Sequence, residues 1–283
     1  MNLKEETDRQ QVLTWIKAAD IVISNYKAGS AKKIGMDYDS LRSLNPKLIY
    51  ASITSYGEAD ARPGFDAMIQ AETGWIYMNG EPDGNPVKMP VALMDVLAAH
   101  QLKEGILVAL LNRFKAGKGS KVTVSLFDTG VSALTNQASN WLNEGVIPKR
   151  KGSKHPNIAP YGDTFYSKDG KAILLATGTE KQYHSLCKCL GLEILLQDQR
   201  FQSNALRLQH RTTLNEFLAK GFQQFTATQL FDLFKKWQVP AAPINNLQEV
   251  FAMPAAKELI LEEQMDNGAI SKRVRTVVFN VST

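Results

Sequence analysis

The sequence predicts an α/β protein, a parallel sheet followed by a smaller α+β region, and three observations point there. Helix and strand patterns alternate through the first 54 residues, which is the signature of a parallel sheet with helical crossovers. The strands in that stretch are short and β-branched, with no polar alternation, as buried parallel strands are. Beyond a basic connection containing glycine and proline, residues 146–160, the order changes to a hairpin followed by a run of helices.

The elements follow in order. Thr7 or Asp8 can cap a first helix carrying Val12, Leu13, Ile16 and Ala19 at helical spacing. Residues 21–25 form a buried strand, and the turn 25–29 leads into a short helix from Ser30 toward Gly35. Residues 38–44 are helical, and 48–54 make the clearest strand of the chain. An amphipathic run covers 67–73, a helix ends near Phe114, and residues 122–126 form a strand. Residues 128–144 read as one long amphipathic helix. Residues 163–166 and 172–176 flank Lys168-Asp-Gly-Lys as a β-hairpin. Helices are expected over 180–190, 211–220, 228–237 and from 247, with an extended crossing at 239–244 and two short strands within 268–281.

Composition narrows the function. The chain has 283 residues, a net charge of +5 and a pI near 9.0, with its Lys and Arg dispersed. That is a poor nucleic-acid footprint but suits a small polyanion such as a nucleotide-bearing molecule. No apolar run is long enough to span a membrane. Cys187 and Cys189 lack a second Cys/His pair at metal spacing, so they are expected as reduced packing thiols in a reducing, cytoplasmic setting, with no metal. The turn Gly117-Lys-Gly-Ser lacks the P-loop pattern, and neither loop after the early strands is a G-x-G-x-x-G.

In a parallel sheet, ligands sit beyond the carboxyl ends of the strands. Two loops qualify, 25–29 and 55–65. The second runs into Arg62-Pro-Gly-Phe-Asp66, and a Gly/Pro/Asn-rich link later delivers Asp95 among apolar neighbours. A carboxylate in such company needs a reason, because an unpaired buried charge is costly. Two reasons compete: Asp95 caps the helix behind it, or it is a nucleophile or general base. His100, one turn on, reads as a packed helix histidine.

Taken together, Ala18-Ala-Asp-Ile-Val-Ile-Ser-Asn-Tyr26, Leu44-Asn-Pro-Lys-Leu-Ile-Tyr-Ala-Ser-Ile53, Arg62-Pro-Gly-Phe-Asp66, Ala116-Gly-Lys-Gly-Ser-Lys121, His155-Pro-Asn-Ile-Ala-Pro-Tyr161 and Val239-Pro-Ala-Ala-Pro-Ile244 resemble the class III CoA-transferase family. The α-methylacyl-CoA racemases are its relatives. The resemblance implies a large Rossmann-like CoA-binding domain over 1–145, a linker at 146–160, a small α+β domain over 161–240 and a return segment toward the large domain over 241–283. It implies that Asp95, thirty residues after Phe65 and just before the helix, is the nucleophile rather than a cap. It implies coenzyme A contacts at Asn25, Tyr26 and Lys27, at Lys33, and at Arg62, Pro63, Gly64 and Phe65. The substrates would be an acyl-CoA donor and a carboxylic acid acceptor, and the assembly a homodimer whose subunits interlock. His155 and Tyr161 would face the acyl site, Thr177-Gly-Thr179 would line the cleft or form a plain turn, and the cluster 149–154 would meet a dicarboxylate.

The sequence also departs from the family pattern. Relatives begin before Met1 and continue beyond Thr283, so the chain resembles a family member cut at both ends. Racemases carry a histidine where this chain has Phe65, and a phenyl ring moves no proton. The expectation is therefore CoA transfer, with a racemase-like enzyme or a catalytically silent CoA-binding fragment as alternatives.

Overall fold

The computed structural model describes residues 1–282, and the chain divides into two compact units, Met1–Gly152 and Ser153–Thr283. The mixed α/β class expected from the pattern is the class observed.

In the first unit the strands β1 (Ile21–Ser24), β2 (Ile49–Thr54) and β3 (Ser120–Ser125) form a parallel sheet in that order. Ile21 pairs with Ile49, and Ile49 in turn with Ser120. The helices are α1 (Glu6–Ala18), α2 (Ser30–Lys33), α3 (Tyr38–Leu44), α4 (Asp66–Glu72), α5 (Trp75–Met78), α6 (Leu93–Ala116), α7 (Leu126–Ser132) and α8 (Thr135–Glu144). β2 is central because it pairs with β1 along one edge and β3 along the other, and helices pack on both of its faces. Ile16 of α1 and Leu41 of α3 pack with Leu48 and Tyr50 on one side. On the other side α6 lies against β2 and β3. Gly105 lets α6 approach, since a Cβ there would come within 2.6 Å of Val122 Cγ1. Beneath the carboxyl end of the sheet, Ile69, Met94, Ala98 and Leu126 make a small core of their own.

Three expectations change here. α1 begins at Glu6 with no side-chain cap, and Asp8 instead accepts from the Asn2 amide at 2.6 Å. α6 begins at Leu93, so Asp95 lies inside its first turn rather than before it. The long helix over 128–144 is two helices, broken where Thr135 adopts φ 47. Its first half is pressed inward, with Gly130 donating no bulk against Thr73 and Met94, and the Gly130 carbonyl accepts from Trp75 Nε1 at 3.0 Å. Amphipathic periodicity does not report such a change of axis.

In the second unit β4 (Tyr161–Tyr166) and β5 (Ala172–Ala176) form the expected antiparallel hairpin. β6 (Ala241–Pro243), within the extended crossing, adds to β5. Around this sheet pack α9 (Glu180–Cys189), α10 (Asn204–Gln209), α11 (Arg211–Phe222) and α12 (Ala227–Trp237). Their shared core includes Phe165, Tyr183, Phe222 and Phe234. Asp163 is buried and held by Arg211, whose Nη2 lies 2.6 Å away, and by Asn215. Such a pair is costly to break from one side, because the other charge stays buried. Cys187 and Cys189 are free and buried, and burial pushes their thiols up to about 11 and about 12. They are inert packing groups. α13 (Leu247–Ala252) and α14 (Pro254–Lys257) follow. The last pair, β7 (Ile260–Gln264) and β8 (Ile270–Val274), turns at Gly268, so the final hairpin begins upstream of the stretch expected to hold it.

Candidate active site

The carboxyl ends of β1, β2 and β3 open on a cavity of about 560 Å³ within the first unit. Asn25, Tyr26 and Lys27 line it from the loop after β1. Arg62, Pro63, Gly64 and Phe65 line it from the loop after β2, and Asp95 enters from α6. Eight residues singled out from the sequence therefore share one wall. Lys33 does not join them; its exposed side chain lies outside this cavity, while the neighbouring Lys32 lines an adjoining one.

The Arg-Pro-Gly-Phe segment is held by contacts that explain its composition. Gly64 lies so close to the end of β2 that a Cβ would sit 2.5 Å from Ser55 Cβ, and Ser55 Oγ donates to the Gly64 carbonyl at 3.0 Å. Only glycine permits that approach. Arg62 stacks on the Tyr56 ring at 3.7 Å and pairs with Asp60 at 2.8 Å and Glu72 at 3.4 Å. Its guanidinium thus braces the loop. Phe65 is 70% exposed and projects its ring without packing into the core.

Asp66, the next residue, supplies the cap that one reading assigned to Asp95. Asp66 Oδ1 accepts from the Met94 amide at 2.7 Å, and its other oxygen accepts from Gln70 Nε2 at 2.7 Å. The fully buried Gln70 accepts in turn from the Met89 amide at 2.9 Å. The N-terminus of α6 is therefore capped from α4, across 28 residues of chain. Asp95 has no side-chain hydrogen bond and no ion pair among the described residues, and it is exposed on the cavity wall rather than buried as its apolar neighbours in sequence suggested, with only part of it desolvated. Burial, and then the negative charge of Asp66, raise its carboxyl above the ordinary value. An unbonded carboxylate with raised basicity, facing a cavity, is placed to attack an electrophile.

This arrangement carries a test. If ionised Asp95 is the attacking group, the acid limb of kcat/KM for thioester turnover lies above the ordinary Asp value of 3.8. Asp66→Asn keeps an oxygen for the Met94 amide but removes the charge, so the limb moves to lower pH. Only part of the elevation is lost, because burial is its larger cause. A pH–rate profile in which the limb stays put or moves upward would contradict the geometry.

The other candidates fall elsewhere. His100 is exposed, with Nδ1 3.2 Å from Lys103 Nζ. His155 and Tyr161 lie in the second unit, ring edge to face at 5.2 Å. Thr179 caps α9 in a reciprocal capping box with Gln182, which accounts for the Thr177–Thr179 turn. Arg150, in the basic cluster, donates to the Tyr77 carbonyl at 3.3 Å. Among the described residues no group of three or more His, Cys, Asp or Glu side chains could hold a metal ion, and no helix is long and apolar enough to cross a membrane. Asp66 and Gln70 were the residues missed. Their spacing of four was visible, but the amides they hold, at residues 89 and 94, were not.

Comparison with known proteins places the chain in a family. The family model described as CoA-transferase family III matches residues 1–283. Over 271 residues the chain is 40% identical to an acyl-CoA transferase of Fusarium pseudograminearum, covering 94% of this chain and 59% of that protein. It is 34% identical over 273 residues to a succinate–glutarate CoA-transferase of Agrobacterium fabrum, covering 95% of this chain and 68% of that one. A crystal structure of a CAIB/BAIF family protein from Brucella suis superposes with a TM-score of 0.84 at 37% identity, over 99% of this chain and 73% of that chain. This chain is a member of CoA-transferase family III. It spans 59% and 68% of the lengths of those two curated relatives.

Proposed function

We propose that this chain moves coenzyme A from an acyl-CoA donor to a carboxylic acid acceptor with Asp95 as the nucleophile. The observation that carries this reading is the free Asp95 carboxylate on the cavity wall, released from capping by Asp66. An Asp95 oxygen attacks the thioester carbonyl, the tetrahedral oxyanion collapses, and the C–S bond breaks. CoA leaves as the thiolate and a mixed anhydride joins donor and enzyme. The thiolate then attacks the aspartyl carbonyl, releasing the donor acid and leaving an aspartyl-CoA thioester. The acceptor carboxylate attacks that thioester and frees the thiolate again. Thiolate attack on the acceptor carbonyl then forms the new acyl-CoA and restores Asp95. Two modest exchanges replace one transfer between unreactive partners.

Asn25, Tyr26, Lys27, Arg62, Pro63, Gly64 and Phe65 would form the coenzyme wall, and Lys33 would meet coenzyme only at the periphery. Phe65 argues against the racemase-like alternative, since it puts a ring with no acid or base function where a proton carrier is required. A dimer is supported by the exposed apolar row Leu107, Leu111 and Phe114 on α6. A cytoplasmic setting is supported by the two free thiols. The domain limits proposed are 1–145 and 161–240 around a linker, a reading supported by the boundary between Gly152 and Ser153, which falls within that linker.

The test is chemical. The chain is incubated with succinyl-, glutaryl-, oxalyl- and acetyl-CoA, quenched, and digested for peptide mass spectrometry. An acyl or coenzyme adduct on the Asp95 peptide is expected. Adducts confined to other carboxylates, or none from folded chain with any donor, would overturn the assignment.

A further inference from the structure

The strap 79–92 between α5 and α6 has no regular secondary structure, and its residues 81–88 are exposed. It nevertheless delivers Asp95, the third residue of α6. A segment with no ladder of its own must find partners for its backbone elsewhere. At the neck, Asn79 Nδ2 donates to the Val87 carbonyl at 2.9 Å, and the Val87 amide donates to the Asn79 carbonyl at 3.2 Å. That closes 79–87 on itself and leaves 88–92, the run into α6, to be placed by another element.

Gln70 of α4 does this. Its side chain is fully buried, and no step of the transfer uses it. Its Oε1 accepts from the Met89 amide at 2.9 Å, while its Nε2 donates to Asp66 Oδ2 at 2.7 Å and lies 3.5 Å from the Val91 carbonyl. The partners fix which way the amide faces: a backbone N–H only donates and a carboxylate only accepts. Asp66 in turn holds the Met94 amide at 2.7 Å with its other oxygen. One buried side chain thus ties down the end of the strap and steadies the carboxylate that caps α6. Asp95 comes directly after Met94. It has no side-chain bond among the described residues, so its aim is set by the backbone that carries it.

We propose that Gln70 is a positioning residue, which sets the direction from which Asp95 meets the thioester by pinning Met89 and orienting Asp66. The proposal rests on the transfer reading given above. Attack needs the reacting atoms about 3–3.5 Å apart, and a misplacement of about 1 Å costs about a hundredfold in rate. A helix start that can shift makes that error. The coenzyme wall does not share it, because the loop 62–65 is held by other bonds, among them Ser55 to Gly64 and Arg62 to Asp60. Loss of Gln70 therefore falls on the rate and spares coenzyme binding.

The experiment compares two substitutions at Gln70 with one at the tip of the strap. Gln70→Met keeps the length and the burial but makes none of the bonds. Its transfer kcat is expected to fall at least about tenfold, while the Kd of coenzyme A, read by calorimetry, stays within about twofold. Asp83→Ala, on the exposed part of the strap, leaves both within about twofold. Gln70→Glu gives a signature that packing alone would not. Beside Asp66 the new carboxyl shares a proton, and while it holds that proton it donates to Asp66 and accepts from Met89 as the amide does. The charged groups around it are Asp66 of α4, Asp95 of α6 and Lys88 of the strap, whose Nζ donates to the Met89 carbonyl at 3.1 Å. As pH rises and the proton leaves, two like charges face each other and the clamp opens. The variant therefore gains an alkaline limb in kcat that the wild-type chain lacks, at pH values where circular dichroism shows the fold intact.

Unchanged kcat in Gln70→Met, an equal loss of coenzyme affinity, or a Gln70→Glu profile without the added limb would each overturn the proposal. Hydrogen exchange separates its failure from that of the transfer reading. The Met89 amide is expected to be protected in the wild-type chain and to exchange faster in Gln70→Met, whether or not any donor reacts. A wild-type chain that transfers nothing while Gln70→Met loses this protection sinks the transfer reading and supports the clamp. Protection unchanged in Gln70→Met sinks the clamp.

Discussion

Asp95→Ala is expected to lower CoA transfer by at least about a thousandfold, the scale on which covalent catalysis fails when its nucleophile is removed. Asp95→Asn should do nearly the same, because the amide keeps the shape but has no attacking oxygen anion. Neither substitution should unfold the first unit. Asp95 makes no side-chain hydrogen bond or ion pair among the described residues, and α6 keeps its cap from Asp66. The measurement is transfer rate alongside thermal unfolding. Activity lost with the melting temperature held fits a nucleophile that the fold does not need, since the exposed Asp95 side chain makes no bond that the unit would lose. Full activity in either variant would remove Asp95 from the mechanism. Activity and stability lost together would return it to a structural role.

The second large effect is expected far from the chemistry. Gly119 precedes β3 and donates its amide to the Pro46 carbonyl at 2.8 Å. A Cβ at Gly119 would overlap the Leu48 carbonyl group, which is backbone and cannot turn aside. Gly119→Ala must therefore push β3 away from β2 at the start of their pairing, where Ile49 meets Ser120. Overpacking of this kind costs about 3 kcal/mol or more when the obstacle is rigid. Spread over a unit of this size, that is a melting temperature lower by about 6–12 °C. Gly117→Ala is the internal comparison. Gly117 ends α6 at φ 68 with open space around its Cβ, so only the left-handed conformation is strained, at about 1 kcal/mol. Equal melting temperatures for the two variants would show that β3 can shift freely.

Much of the fold was legible because its signals are local. α3 and α9 were found within a residue or two, and so were β2 and β5, since helical period and β-branched runs act over a few residues. The loops that hold the cavity were legible for a related reason. In a parallel sheet the carboxyl ends of the strands gather on one edge, so naming the strands named the loops 25–29 and 55–65. The family pattern then singled out Asp95, Phe65 and the Arg-Pro-Gly turn.

What the tertiary structure alone decided involves contacts between distant segments. That Asp95 does not cap α6 depended on Asp66, which reaches the Met94 amide from another helix. That Lys33 stays outside both cavities while Lys32 lines one depended on how a four-residue helix is rotated against the sheet. The split of the 128–144 helix depended on how closely Gly130 meets Thr73 and Met94. Periodicity reports which residues seek burial. Which partner each one finds there is set by packing across the fold.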